Sequence, residues 1–190
     1  MALNLGDDVI FEGPALPEAF VRHELEKGLG NSLPKEKAAR LPWEKFRRAI
    51  RQPLTGQSGR WRVKNVVLDP LAELLGYEVG PGGDPVVTRE GAEGPGLMLR
   101  NGAIGLRAFA VDYQGHLDAP AERGQTYRFT PQRIAQRILL AAGERVGLLT
   151  NGDDLRLMLS DPARTSFVDH CSAPQKSDHQ SGGLLSDPSL

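Results

Sequence analysis

The chain has 190 residues, of which 39% are hydrophobic, so it can bury one core of ordinary domain size. Its formal net charge of -1 conceals an asymmetry, because residues 35–64 carry ten lysines or arginines against two glutamates. Such a segment is typical of a surface for a negatively charged partner, most often nucleic acid, although a solvated face has the same composition. With one cysteine, no signal-peptide pattern and no apolar run near the ~20 residues of a membrane span, the sequence predicts a cytoplasmic protein that does not enter a membrane.

Residues 1–59 are predicted to form a helical, basic N-terminal segment. Apolar residues at helical spacing indicate amphipathic helices over 17–28 and over 43–51, the second beginning after Pro42. Glycine and proline make 52–59 a flexible loop.

The core of the protein is predicted over residues 60–168. A buried helix over 60–75 comes first, with a kink at Pro70. The glycine-rich stretch 77–96 that follows is predicted to be a loop with one short strand at Val86–Thr88.

Two hairpins and a helix complete the predicted core. Asn101-Gly102 separates two strand-like runs and is expected to form a turn in which both residues have positive φ. Thr130-Pro131 begins a helix, and Asn151-Gly152 joins the last two strands. The elements predict an α/β fold, a mixed sheet packed on helices, followed by a disordered tail at 169–190.

Nucleotide-binding and nucleophile signatures do not occur in the sequence. Gly80-Pro81-Gly82-Gly83 lacks the strand and the later glycine of a dinucleotide motif and indicates turns. Ser58 is expected to be a loop serine, and the four histidines lie singly rather than at metal-ligand spacing.

Three segments of the core carry a resemblance to a known family: Val66–Tyr77, Arg107–Gln114 with Leu117–Pro120, and Val146–Leu157. They resemble the N-terminal PD-(D/E)xK-type domain of type I and type IIG restriction proteins and of related phage-defence DNA adenine methyltransferases. The most specific feature is Leu-Thr-Asn-Gly at 149–152. The resemblance implies a restriction-endonuclease-like fold over roughly residues 15–168.

The resemblance also implies a position for a catalytic site. Such nucleases use two acids to hold Mg²⁺ and a lysine to assist the attacking hydroxide, so three side chains must converge from adjacent strands. The acid-x-lysine motif falls at Asp112 and Gln114, where glutamine replaces the lysine. Asp84 is the best upstream acid, with Glu90 and Glu93 less well placed. These residues predict a degenerate site, in which Asp112 is a strand-end carboxylate, and Mg²⁺ is implied only if the site is active.

Six basic side chains are candidates for contacting DNA phosphates: Lys45, Arg48, Arg51, Arg60, Arg62 and Lys64. Contacts of this kind give affinity that is independent of base sequence and sensitive to salt.

The leading interpretation is therefore a DNA-contacting or docking module of a restriction-modification or phage-defence methyltransferase, catalytically inactive alone. The chain carries no S-adenosylmethionine glycine loop and no Asn-Pro-Pro-Tyr motif, so methylation would need a separate methyltransferase. The expected partners are DNA and a methyltransferase or helicase subunit of the same defence system. One alternative is an active Mg²⁺-dependent endonuclease that uses Asp84 and Asp112. Another is a non-functional fragment whose reading frame was broken near His170.

Overall fold

The structure is a computed structural model, and it describes residues 17–29, 36–120 and 129–161. The predicted tail at 169–190 lies outside these ranges. The described helices are α1 (Glu18–His23), α2 (Leu25–Leu29), α3 (Glu36–Ala49), α4 (Arg60–Val63), α5 (Asp69–Leu75) and α6 (Pro131–Ala141), with one π-helical turn (Lys64–Leu68) between α4 and α5. The described strands are β1 (Glu78–Pro81), β2 (Val86–Thr88), β3 (Gly91–Glu93), β4 (Leu97–Asn101), β5 (Ile104–Ala110), β6 (Val146–Thr150) and β7 (Leu155–Leu159).

Five strands form one mixed sheet in the order β1-β4-β5-β6-β7, while β2 and β3 pair separately. Neighbouring strands are antiparallel except β5 and β6, which are parallel. A parallel pair needs a long crossover, and α6 lies in the chain between these two strands. The predicted mixed α/β class is confirmed, and β5 is the central strand.

The sheet is covered by helices on both faces. On one face, Leu68 and Ala72 pack against Leu99, Ala108 and Leu148. Because successive residues of a strand point to opposite faces, Leu149 faces the other side, where α6 covers it. These contacts place β5 between two apolar layers.

The helix predicted over 60–75 is continuous but irregular. The π-helical turn ends two residues before Pro70, whose ring would clash with the carbonyl of Val66 in a regular helix. Gly76 ends the helix with φ 74°, and Tyr77 N–H donates to the Ala72 carbonyl at 2.7 Å.

The first hairpin turn differs from the prediction. Asn101 pairs with Ile104, so the two loop residues are Gly102 and Ala103 rather than Asn101 and Gly102. Only Gly102 has positive φ, at 58°, which matches the two-residue turn that places glycine first. The expectation of two positive φ angles was wrong because Asn101 extends the strand.

Other differences concern proline and glycine. Helix α3 runs through Pro42, and the bond lost there involves Ala38, which is exposed and can be hydrated. Strand β1 was predicted as loop because it contains Gly80 and Pro81, but it lies at a sheet edge, where proline is tolerated.

A buried arginine connects the segment that follows α6 to the sheet. Arg107, on β5, makes a bidentate pair with Glu144 at 2.6 and 2.7 Å. Its remaining donors reach the carbonyls of Gly82, at 3.1 Å, and Pro95. The charge is therefore compensated inside the fold, as a buried arginine requires.

Candidate functional site

The carboxyl ends of the parallel strands β5 and β6 lie side by side at one end of the sheet. Here Val111 N–H donates to the Thr150 carbonyl at 2.8 Å. We call this region, residues 111–115 with 150–154, the Asp112 edge. It contains the acid-x-lysine position predicted from the sequence.

Asp112 follows β5 and acts as a helix cap. Its Oδ1 accepts a hydrogen bond from the backbone N–H of Arg60 at 2.8 Å, where α4 begins. The Arg60 Nε lies 4.0 Å from the same oxygen, and the Asp112 side chain is 65% exposed. Since Gly59, the residue before α4, has no side chain to cap the helix, Asp112 supplies the missing acceptor.

Gln114 lies in the turn after Asp112 and has a φ of 58°. Its side chain is exposed, and Nε2 lies 3.4 Å from the Tyr113 hydroxyl. Tyr113 N–H donates to the Ser58 carbonyl at 2.9 Å, which holds the turn against the 52–59 loop. The pKa of the Tyr113 phenol is raised, mainly by partial burial and to a smaller extent by the hydrogen bond and the negative charge of Asp153.

The other predicted acids are not beside Asp112 in the sheet. Asp84 is exposed in the loop after β1. Because β4 lies between β1 and β5, these two strands are roughly 10 Å apart at ordinary strand spacing. Glu90 and Glu93 both pair with Arg137 on α6.

The adjacent strand β4 brings no acid to this edge either. It is preceded by Gly96, where φ is 72° and a Cβ would lie 2.7 Å from the Ala108 carbonyl oxygen. No side chain fits at this position without a backbone shift. Among the residues that the structure describes, no group of three His, Cys, Asp or Glu side chains is arranged to hold a metal ion.

The Leu-Thr-Asn-Gly motif has a structural explanation at the same edge. Asn151 is buried, and its Oδ1 accepts the N–H groups of Asp153 and Asp154 at 3.1 and 2.7 Å. Its Nδ2 donates to the Gly115 carbonyl at 2.9 Å. One amide thus closes the second hairpin and ties it to the loop after β5.

The six predicted DNA-binding cations divide into two groups. Lys45 pairs with Glu73 and Lys64 pairs with Asp69, the latter at 2.7 Å, so both are engaged between helical segments. The remaining four, Arg48, Arg51, Arg60 and Arg62, are exposed.

Three of the exposed arginines surround the loop that covers the Asp112 edge. Arg62 Nη2 lies 3.4 Å from the Pro53 carbonyl, and Arg60 contacts Asp112. Arg51, Pro53 and Tyr113 line a common groove of about 480 Å³. The structure therefore brings together two sites that the sequence predicted separately, whereas no described contact places Arg48 with them.

No family model, curated protein or solved structure matches this chain. Among the described helices, none has both the length and the apolar character required to cross a bilayer.

Sequence reasoning missed Trp61, which lies between Arg60 and Arg62 in α4. The following Val63 is fully buried, and two residues on a helix correspond to about 200° of rotation, so Trp61 points away from the core. The side chain is 76% exposed. An aromatic residue between two arginines was the available signal in the sequence.

Proposed function

We propose that this chain is a DNA-contacting module with a restriction-endonuclease-like architecture, that it belongs to a restriction-modification or phage-defence DNA methyltransferase, and that it does not cleave DNA. The order of elements supports this assignment. A helix ending in Leu-Gly-Tyr at 75–77 precedes the sheet, and α6 leads into a strand that ends in Leu-Thr-Asn-Gly, followed by its partner strand. This is the order that the sequence resemblance implies.

The observation that carries the proposal is the position of Arg51, Arg60 and Arg62 around the Asp112 edge. In a nuclease of this architecture the acid-x-lysine end of the strand faces the scissile phosphate. Exposed guanidinium groups at that place bind phosphate oxygens through charge-assisted hydrogen bonds. This position of the basic segment supports an approach of the DNA backbone to the sheet at the Asp112 edge.

The same edge lacks the chemistry of cleavage. The Asp112 carboxylate accepts the Arg60 N–H and lies beside its guanidinium, so it is engaged in capping α4. Gln114, in place of the lysine, carries no positive charge to stabilise a hydroxide. Methylation or helicase activity would be supplied by another subunit of the same defence system.

The first test is duplex binding by the full chain between low and physiological salt. Binding through phosphate contacts requires log affinity to fall linearly with log salt, with a slope of about -0.9 per contact. The double variant Arg60→Gln/Arg62→Gln should weaken binding about tenfold and reduce the slope by about two.

The matched control is Lys45→Gln/Lys64→Gln, which also removes two positive charges, but from lysines that form ion pairs with Glu73 and Asp69. It should leave the salt slope of duplex binding nearly unchanged. Equal effects of the two double variants, or a wild-type affinity that does not respond to salt, would contradict the proposed interface. Cleavage by the wild type with Mg²⁺ or Mn²⁺ that is lost in Asp112→Asn would establish an active nuclease instead.

A further inference from the structure

The most exposed aromatic side chain in the described residues stands between two exposed cations. Trp61 is 76% exposed, in contrast to Trp43, which is 49% exposed and whose ring centroid lies 5.6 Å from that of Phe46. Arg60 and Arg62 flank Trp61 in sequence, and both are exposed. An indole is a large apolar surface, so leaving it in water is unfavourable unless a partner covers it.

We infer that Arg60, Trp61 and Arg62 form a stacking platform for unpaired nucleobases, and that the module prefers single-stranded DNA to duplex. This inference rests on the proposed DNA-binding function and specifies the form of the DNA. The two arginines bind the phosphates on either side of a base whose ring lies on the indole. Combining cations with an aromatic face is the usual way in which proteins hold single strands without reading their sequence.

A duplex does not offer the same contact. The faces of paired bases are stacked on one another inside the helix, so an exposed indole reaches them only at an end or an unpaired site. Phosphates, by contrast, are accessible in both forms of DNA. Trp61 should therefore contribute to binding single strands, while Arg60 and Arg62 contribute to both.

The local fold holds this platform in position. The Asp112 carboxylate caps the first residue of α4, and Asn65 Nδ2 donates to the Trp61 carbonyl at 2.8 Å. The Asp112 charge lies 4.0 Å from Arg60 Nε and opposes phosphate binding there. Removing that charge while keeping the cap, as in Asp112→Asn, should strengthen binding of single strands and duplexes about twofold.

The decisive experiment uses the two tryptophans of the chain. In Trp43→Phe the remaining emission comes from Trp61. Titration with a thymidine oligonucleotide of about 12 nucleotides should quench this emission on binding, whereas a duplex of equal length should quench it little. Trp61→Ala should weaken single-strand affinity about tenfold, with an unchanged salt slope, and Trp61→Phe should retain most of the affinity.

The matched control is Trp43→Ala, which should leave single-strand affinity unchanged. Because Trp61 is exposed, Trp61→Ala should also keep the melting temperature of the wild type. Normal single-strand affinity in Trp61→Ala, or equal quenching by both forms of DNA, overturns this inference while duplex binding still supports the proposed function. Absence of binding to either form overturns both.

Discussion

At the scale of single residues, the neighbours of Asp112 decide its role. A carboxylate after a central strand is compatible with a metal ligand, a capping group or a solvated charge. Here its oxygen lies 2.8 Å from the first backbone N–H of α4. A helix N-terminus has unsatisfied N–H groups and a positive dipole, so an acidic acceptor stabilises it.

Capping by Asp112 predicts different results for two substitutions. Asp112→Ala removes the acceptor and should lower the free energy of unfolding by about 1 kcal/mol. Asp112→Asn keeps an oxygen acceptor and should lower it by less than half as much. Urea denaturation of the three proteins measures this difference, and equal destabilisation by both substitutions would show that the charge, rather than the acceptor, is what stabilises the helix.

At the scale of elements, Arg156 attaches strand β7 to the loop after β5. Its guanidinium makes a bidentate pair with Asp118, with both distances 2.6 Å, and it also contacts the side-chain oxygen of Gln132 at the start of α6. The hydrogen bond from Arg156 holds the pKa of the Asp118 carboxyl below its ordinary value. This edge strand is thus joined to two other elements by one side chain.

The lowered pKa of Asp118 predicts a pH dependence. A carboxyl whose pKa is depressed by folding stabilises the protein above its unfolded pKa, about 3.9, and the stabilisation is lost as the pH falls through the lower folded value. Asp118→Asn should cost about 0.5 kcal/mol at pH 7, because the pair is largely exposed. The melting temperatures of variant and wild type should converge as the pH falls below about 3.9.

The control for this series is Asp84→Asn, an exposed position in the loop after β1. It should not change the melting temperature at pH 7. A deficit of Asp118→Asn that stays constant down to pH 3 would contradict a stabilising role for the carboxylate.

At the scale of the whole molecule, the helical layer covers only part of one sheet face. Leu148 on β6 and Leu157 on β7 are register partners on that face. Leu148 is 5% exposed, whereas Leu157 is 57% exposed. Leu155 and Leu159, on the same strand as Leu157, are exposed as well. Within the described residues, the core on this face therefore ends between β6 and β7, whereas Met158 of β7 is buried on the opposite face.

This boundary predicts unequal costs for the same substitution on neighbouring strands. Leu148→Ala removes packing against α5 and the sheet and should lower the free energy of unfolding by about 2–4 kcal/mol. Leu157→Ala should cost less than about 1 kcal/mol. Denaturation of the pair in urea is the measurement, and a cost for Leu157→Ala equal to that for Leu148→Ala would contradict this boundary of the core.

Local signals explain how much of the fold was predictable. Thr130 and Pro131 begin α6, with the Thr130 hydroxyl accepting the Arg133 N–H at 3.2 Å, and Gly76 ends α5. Each depends on residues a few positions apart, so the sequence alone determined these helix ends, the second hairpin and the mixed α/β class. It did not determine that α3 begins at Glu36, or that the helix predicted over 17–28 is divided into α1 and α2. It also determined the basic character of residues 35–64.

Only the tertiary structure decided which charges are available and what Asp112 does. Lys45 and Glu73 are 28 residues apart, and Arg60 and Asp112 are 52 apart. The strands β1 and β3 likewise form through partners, because their own composition is that of loops. The physical reason is that propensity and capping act within a few residues, whereas ion pairs and strand pairing depend on which distant segments the packed sheet places side by side.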